Sequence, residues 1–345
     1  MRIRLLIILT AIIPLTSCHS VEEWDDNPEG NFDALWTIID RHYCFFEQKN
    51  VDWDAVYDKY RPQVTSETDV IELFEICSDM LNELKDGHVN LSSWFSTSYY
   101  KQWWSDYPQN FDQRLIEEYY LNFNEYSKNG LSYWVLDDNV AYIRYPSFSY
   151  TPGENTLDWA LALLSGCRGL VIDIRDNGGG DISNVEMLVR RFIDKRILAG
   201  YISHKSGPGH NDFSEPYAFY YDPAEQGRIT WFKPIVVLTN RSTYSSANNF
   251  TAIMKELPLA TLVGDCTGGG SGMPFSSEIP CGWSIRFSGS PIYNAKMELC
   301  ENGVEPDIYI DLDPELAKQG IDTMLEKAID VIVEQTPDYE PPTQE

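Results

Sequence analysis

The sequence has 345 residues, of which 43% are hydrophobic and 13% aromatic, enough for one large domain or two ordinary domains with a buried core. Its formal net charge is −27, and no basic stripe is present that could neutralise phosphates. We therefore expect no nucleic-acid partner.

The N-terminal residues have the features of a bacterial export signal. Arg2 and Arg4 precede an apolar run that is too short to span a bilayer as a helix. The run ends in Leu-Thr-Ser-Cys at 15–18, which is similar to a lipobox, in which the cysteine is acylated and becomes the new N-terminus. We predict a lipoprotein signal peptide over 1–17 and a lipid anchor on Cys18. This places the chain in the cell envelope, either periplasmic or surface-exposed. A plain secretory signal is the alternative.

After a polar tether at 18–31, the sequence predicts an N-terminal helical lobe over 32–91. Apolar residues recur at helical spacing in three segments, 32–43, 51–60 and 69–84. Thr65 and Ser66 are possible starts of the third helix. Residues 92–133 follow as an insert rich in Trp, Tyr and Phe, for which no regular pattern predicts the structure.

The pattern changes to alternating strands and helices in a core predicted over 134–335. The predicted strands are 140–145, 169–174, 235–239, 261–263, 279–287 and 308–311. The predicted helices are 156–164, 183–193, 246–257 and 317–334. Strands separated by helices predict a largely parallel sheet covered by helices. Residues 336–345 are predicted to be a disordered tail.

Three glycines follow the strand at 169–174, in the segment Asn177-Gly178-Gly179-Gly180. The segment lacks the spacing of both common nucleotide-binding loops. It is therefore either a plain tight turn or a loop whose bare amides stabilise the anion of a tetrahedral intermediate.

Two further stretches contain residues of the types that carry nucleophilic and acid–base chemistry. A hydroxyl-rich turn over 242–246 lies between an apolar strand and a helix. A serine there either caps the helix or acts as a nucleophile favoured by the helix N-terminus. His88 follows a glycine that suits a helix end, and it is either a structural histidine or a general base.

Taken together, these stretches resemble the serine peptidases of the carboxyl-terminal processing protease and tricorn group. Four family motifs occur in the family's order: D-x-R-x-N-G-G at 173–179, a strand–serine–helix segment at 235–250, G-[DE]-x-T-x-G at 264–269 and G-[VI]-x-P-D at 303–307. The helical lobe adds Asp-Gly-His at 86–88. The resemblance implies a crotonase/ClpP-like α/β protease core with an N-terminal helical lobe and no apparent PDZ domain.

The resemblance also implies roles for individual residues. Ser245 falls at the nucleophile position, and the stretch 267–272 has no lysine, so the base matches the histidine of the tricorn-like branch, His88. The amides of Gly179 and Ser246 correspond to the oxyanion hole. The family implies neither a cofactor nor a metal.

The orienting acid is the one position at which this sequence departs from the family. In relatives it commonly lies three residues before the glycine of the last motif, and that position here is Cys300. Glu301 is one residue displaced and Glu298 lies two residues to the other side. We favour Glu301.

The implied function is a lipid-anchored serine peptidase that acts on a peptide or protein substrate. The alternative is a non-catalytic lipoprotein that binds peptides or lipophilic ligands on the same fold, since a fold alone does not establish activity. The aromatic insert either selects the substrate or packs between the lobes.

Overall fold

The computed structural model describes residues 24–340. The predicted signal peptide, Cys18 and residues 341–345 of the predicted tail lie outside the described residues. The helices are α1 (Pro28–His42), α2 (Phe46–Lys49), α3 (Trp53–Tyr60), α4 (Val70–Asn82), α5 (Gln102–Ser105), α6 (Gln113–Leu115), α7 (Glu154–Leu163), α8 (Ile182–Val189), α9 (Ser246–Met254), α10 (Pro314–Ala317) and α11 (Thr323–Gln335). The strands are β1 (Asn90–Ser92), β2 (Thr97–Tyr99), β3 (Tyr126–Lys128), β4 (Leu131–Val135), β5 (Val140–Arg144), β6 (Gly169–Asp173), β7 (Ile197–Ile202), β8 (Tyr217–Tyr221), β9 (Ile235–Thr239), β10 (Ala260–Gly264), β11 (Gly272–Glu278), β12 (Ser284–Tyr293) and β13 (Ile308–Tyr309).

Helices α1 to α4 form the predicted helical lobe, with two differences at their N-termini. Helix α1 begins at Pro28 because the side chain of Asn27 caps it, so it includes four residues of the predicted tether. Helix α4 is capped by Asp69, whose carboxylate accepts from two backbone amides, and not by Thr65 or Ser66. Thr65 belongs instead to the turn before the helix, where its amide donates to Thr68 Oγ1.

The main sheet has seven strands in the order β13-β10-β9-β6-β5-β4-β3. Five of its strands are parallel, namely β5, β6, β9, β10 and β13. Strands β3 and β4 add an antiparallel edge. Side chains alternate between its two faces: Ile172 packs with α7, α8 and α9, whereas Val171 packs with α11. The sequence therefore predicts this covered, largely parallel sheet correctly.

A second sheet lies between the helical lobe and the core, in the order β2-β1-β12-β7-β8, with β11 paired to β12. The single strand predicted at 279–287 is wrong, because residues 279–283 form the turn that joins β11 to β12 and only 284–287 belong to a strand. The β1–β2 hairpin crosses the predicted boundary between lobe and insert. Ile285 and Phe287 of β12 pack with the helices of the lobe. This sheet therefore connects the lobe to the core.

The last helix begins later than predicted because residues 314–317 form the separate helix α10. Asp322 caps α11 and also binds the buried guanidinium of Arg175 at the end of β6, with 2.8 Å between Arg175 Nη1 and Asp322 Oδ2. Within residues 24–340, no helix combines the length and apolarity needed to cross a bilayer.

Candidate active site

Ser245 lies at a strained turn between β9 and α9. Its backbone has φ 57° and ψ −121°, a combination that a non-glycine residue adopts at energetic cost. Hydrogen bonds on both sides hold the turn: Tyr244 N donates to Asn177 O at 2.9 Å, and Ser245 N donates to Gly269 O at 2.8 Å. The Ser245 side chain makes no capping hydrogen bond. A serine that served only as a helix cap would bond to its own helix, so the turn presents this hydroxyl elsewhere.

The hydroxyl meets the imidazole of His88, which the end of the helical lobe delivers from 157 residues away. His88 Nε2 lies 2.9 Å from Ser245 Oγ, and His88 is only 3% exposed. Burial lowers the pKa of His88 to about 4, against the opposing effect of the Asp86 carboxylate. The imidazole is therefore neutral at pH 7, and its free nitrogen can accept the serine proton.

The other ring nitrogen faces a hydroxyl that is bonded to a carboxylate. Ser288 Oγ lies 3.5 Å from His88 Nδ1 and donates to Asp86 Oδ2 at 2.8 Å. Asp86 also accepts from Tyr43 Oη at 3.0 Å and from the amide of His88 at 2.7 Å. This network assigns the proton to Nδ1, so that Nε2 is the acceptor toward Ser245.

Asp86 is buried and remains a carboxylate. Burial opposes its ionisation, but the Lys49 ammonium, His88 and two hydrogen bonds outweigh burial and lower the pKa of Asp86 below its ordinary value. A fixed negative charge at this position stabilises the imidazolium that forms when His88 takes a proton.

Glu301 is near this network but does not touch the ring of His88. Its carboxylate pairs with Lys49 Nζ at 2.9 Å and accepts from Ser271 N at 2.8 Å. Burial and the nearby Asp86 charge raise the pKa of Glu301 to about 7, against the Lys49 ammonium. Glu298 is exposed and bonded to Asn294 at 2.8 Å. In this structure Ser288 therefore occupies the place beside the ring where we expect Glu301, and the role of Glu301 stays a prediction.

The glycine loop approaches Ser245 as closely as the sequence predicts. Gly179 has φ +97°, and a Cβ added to it would lie 2.7 Å from Ser245 Cβ and 2.9 Å from Ser246 N. Ser246 opens α9, so its amide has no acceptor within the helix. The Gly179 amide donates to Asn177 Oδ1 at 2.9 Å. A substrate oxygen would therefore meet the Ser246 amide directly, whereas the Gly179 amide would first have to leave Asn177.

A cavity of about 240 Å³ opens beside the nucleophile. It is enclosed by the glycine loop, the start of α9 and strands β11 and β12, and its lining includes Ser245, Ser246 and Arg286. The residues described contain no group of three His, Cys, Asp or Glu side chains that could hold a metal ion.

The aromatic insert contributes directly to this region. Trp103 stacks on Tyr244, the residue before the nucleophile, with 4.0 Å between ring centroids, and Tyr244 in turn lies 4.9 Å from the His88 ring. Trp94, by contrast, is 85% exposed. Part of the insert therefore packs against the site, and part faces solvent.

Three residues of the site carry no role in the sequence-based prediction: Asp86, Ser288 and Arg286. Asp86 stands in the Asp-Gly-His motif, two residues before the base. Arg286 and Ser288 are separated by one residue of β12, so they share the face toward the site. Polar residues at alternate positions of an otherwise buried strand are the signal that could have indicated them.

A partly buried serine bonded to a buried histidine at the start of a helix, beside a sheet covered by helices, is typical of serine hydrolases. Residues 139–310 match Peptidase family S41, and residues 25–82 match the Tricorn protease C1 domain. The chain belongs to peptidase family S41, which confirms the family and the fold class that the motifs predict.

The relatives differ widely in how much of their length the chain spans. The crystal structure of a candidate peptidase from Parabacteroides merdae is 44% identical, with a TM-score of 0.85, over 90% of this chain and 98% of that one. The tricorn protease of Thermoplasma volcanium is 28% identical over 177 residues, which are 48% of this chain and 15% of the relative. The carboxy-terminal processing protease CtpA of Bacillus subtilis is 27% identical over 184 residues, 53% of this chain and 37% of the relative. The chain thus spans well under two-thirds of these two curated relatives.

Proposed function

We propose that the chain hydrolyses peptide bonds as a serine peptidase, with Ser245 as nucleophile and His88 as general base. The observation that carries this proposal is the 2.9 Å separation of Ser245 Oγ and His88 Nε2 at a turn where the serine caps nothing. Membership of a peptidase family favours peptide bonds over other acyl substrates.

The proposed reaction is acyl transfer to water. His88 Nε2 takes the proton of Ser245 Oγ as the oxygen attacks the scissile carbonyl carbon, and the Ser246 amide donates to the resulting oxyanion. Nε2 then returns the proton to the leaving amine, and the carbon–nitrogen bond breaks. Water attacks the acyl-enzyme by the same route and releases the new carboxylic acid together with Ser245. Ser288 and Asp86 hold the ring and stabilise its positive charge throughout.

Labelling with a serine-reactive fluorophosphonate, together with hydrolysis of a mixed quenched-peptide library, tests this proposal. We expect both signals in the unmodified chain and loss of both in Ser245→Ala and in His88→Ala. Ser242→Ala, in the same hydroxyl-rich turn, is the matched control and should keep both. Labelling that persists in Ser245→Ala would identify a different nucleophile. Peptide binding without labelling or hydrolysis would favour the non-catalytic binder.

We also propose that the chain is a lipoprotein of the cell envelope, anchored through Cys18. The support is the sequence alone: two arginines, a short apolar run and a lipobox-like ending. Expression in a bacterial host, followed by membrane fractionation and mass measurement of the N-terminal peptide, tests this. We expect an acylated Cys18 and release of the Cys18→Ser chain from the membrane fraction. Cys281→Ser is the control and should remain attached.

A further inference from the structure

The cavity beside Ser245 has the size of a pocket for one side chain. Its volume of about 240 Å³ is below the roughly 300–1,000 Å³ of sites that hold whole drug-sized ligands. Most of its surface is apolar and includes Ile182, Met273, Pro274 and Ile292, and a few polar side chains complete the lining. A pocket of this size next to a nucleophile is suited to selecting a single residue of the substrate.

Arg286 brings a positive charge to this pocket. It is half-buried on β12, and within the described part of the chain its guanidinium makes no hydrogen bond or ion pair, although the Asp86 carboxylate acts on it electrostatically. The chain has 53 aspartates and glutamates against 26 lysines and arginines, so an arginine without a hydrogen-bonded carboxylate is unusual in this chain. Burial lowers the pKa of Arg286, nearby Tyr244 and the Asp86 carboxylate oppose this effect, and the group remains a cation. A half-buried guanidinium without a hydrogen-bonded partner is suited to an anion that arrives with a ligand.

Two neighbouring polar side chains are also without partners. Ser271 is 8% exposed and lines the pocket, and its hydroxyl makes no hydrogen bond within residues 24–340. Asn249 Oδ1, from the first turns of α9, is likewise buried and unbonded. Buried polar atoms are rarely left unsatisfied, because each lost hydrogen bond destabilises the fold. At this pocket Ser271 Oγ can donate to an oxygen of a ligand, whereas Asn249 Oδ1 can only accept and is suited to an N–H of a ligand.

The position of the pocket decides which substrate residue enters it. The lining includes Ser245 and Ser246, so a carbonyl attacked by Ser245 would lie at its mouth. His88, which delivers a proton to the leaving amine, is not part of the lining. The leaving side of the substrate therefore extends toward His88. The pocket receives the side chain of the residue that supplies the carbonyl.

We infer that this pocket binds the side-chain carboxylate of a substrate Asp or Glu, so that the chain cleaves after acidic residues. The inference rests on the proposed peptidase function. The guanidinium of Arg286 can donate two hydrogen bonds to a carboxylate, and Ser271 Oγ can donate a further one. The lining contains one acidic residue, Asp181, which is exposed and already caps α8 by accepting from Ser183 N at 2.9 Å.

Peptides that differ only in the residue before the cleaved bond test the inference. The probes are acetyl-Ala-Ala-X-aminomethylcoumarin with X as Glu, Gln, Leu or Lys, and the readout is kcat/KM. We expect Glu to exceed Gln by about 10- to 100-fold, the range for a hydrogen bond to a charged group. In Arg286→Gln the ratio of Glu to Gln should fall to near one. Arg114→Gln removes an exposed arginine instead and should keep the ratio. A preference for Gln, Leu or Lys in the unmodified chain would overturn the inference.

A binding measurement separates this inference from the proposed function. Calorimetry on the Ser245→Ala chain uses acetyl-Ala-Ala-Glu-amide, acetyl-Ala-Ala-Gln-amide and acetyl-Ala-Ala-Gln with a free terminal carboxylate. We expect the Glu amide to bind at least about tenfold more tightly than the Gln amide. If the Glu amide binds so but no peptide is hydrolysed, the peptidase proposal fails and the pocket assignment stands. If only the free terminal carboxylate improves binding, the pocket recognises chain ends and the inference is wrong. Equal binding of all three would also overturn it.

Discussion

The buried imidazole of His88 determines the pH range in which the chain can act as a base catalyst. Burial lowers its pKa to about 4; Asp86 raises it, whereas Arg286 and Lys49 lower it further. Only the neutral ring accepts the serine proton, so kcat/KM should fall tenfold per pH unit below about pH 4 and stay level above it. With an unperturbed histidine, kcat/KM would begin to fall at about pH 6.5.

The measurement is a pH profile of kcat/KM, with circular dichroism at each pH to confirm that the chain stays folded. Arg286→Gln removes a cation near the ring, so the acid limb should move to higher pH. An acid limb between pH 6 and 7 in the unmodified chain would contradict the burial of His88 as its cause.

Ser288 is a positioning residue, because it joins the ring of His88 to Asp86 without reaching the substrate. Ser288→Ala should lower kcat by about 10- to 100-fold and leave KM within twofold, the range for the loss of a group that orients a functional histidine. Ser290→Ala is the matched control, since Ser290 lies two residues along β12 and bonds to His204 at 2.9 Å instead. Equal effects of the two substitutions, or a change in KM alone, would contradict this role.

The sequence singles out Ser245 and His88, which the structure brings within 2.9 Å of each other, because each stands in a local motif that the chain carries in full. Ser288 and Arg286 carry no such motif. Their place at the site depends on the pairing of β12 with β1, which aligns Arg286 with Asn90, and Ser288 meets His88 across 200 residues of chain. Register between strands so far apart is set by packing, which no local pattern encodes.

At the scale of elements, the loop after β6 has to let two backbone segments approach each other. A Cβ at Gly179 would meet Ser245 Cβ at 2.7 Å and Tyr244 O at 2.8 Å, and its φ of +97° disfavours any other residue. Gly179→Ala should therefore lower kcat/KM by more than about 100-fold and destabilise the fold by about 1–3 kcal/mol.

Gly178→Ala is the matched control for this prediction, because a Cβ at Gly178 meets nothing within 4 Å. Urea unfolding and peptide hydrolysis should both stay close to the unmodified values in that variant. If the two alanine variants behave alike, close approach at Gly179 is not what the loop requires.

The elements that the sequence predicts best are those buried on both faces. Strand β9 has its predicted bounds, and β5 and β6 differ from prediction by one residue, because long apolar runs are sufficient to identify such strands. Strands β7 and β8 are absent from the prediction. Their exposed and buried residues do not alternate regularly, since their burial depends on remote partners such as β12.

At the scale of the whole molecule, the site exists only where the helical lobe meets the core. Lys49 of α2 reaches Glu301, which follows β12, with 2.9 Å between Nζ and the carboxylate, and their side chains are 13% and 4% exposed. Lys49 also helps to keep Asp86 ionised. The ion pair therefore links the two halves of the molecule directly behind the catalytic network.

Removing Lys49 should destabilise the fold in a pH-dependent way. The folded-state pKa of Glu301 is about 7, above the unfolded value of about 4.3, so folding favours its protonated form. The stability linked to this proton is present below about pH 4 and is lost as pH rises through about 7. Lys49→Met removes the cation that limits this rise. We therefore expect a loss of about 3–5 kcal/mol at pH 8, typical of a buried charge left unpaired, and a smaller loss at pH 5.

Urea unfolding at the two pH values measures this difference, and the same lobe offers a control. Lys59 pairs with Glu83 at the surface, where the side chains are 59% and 33% exposed, so Lys59→Met should destabilise by less than about 1 kcal/mol at both pH values. Adding Glu301→Gln to Lys49→Met should restore part of the stability at pH 8, because the buried Glu301 charge is then gone and only Asp86 still lacks the lysine. A loss that is the same at pH 5 and pH 8, or that the second substitution does not restore, would mean that packing of the lysine side chain, and not its charge, joins the lobe to the core.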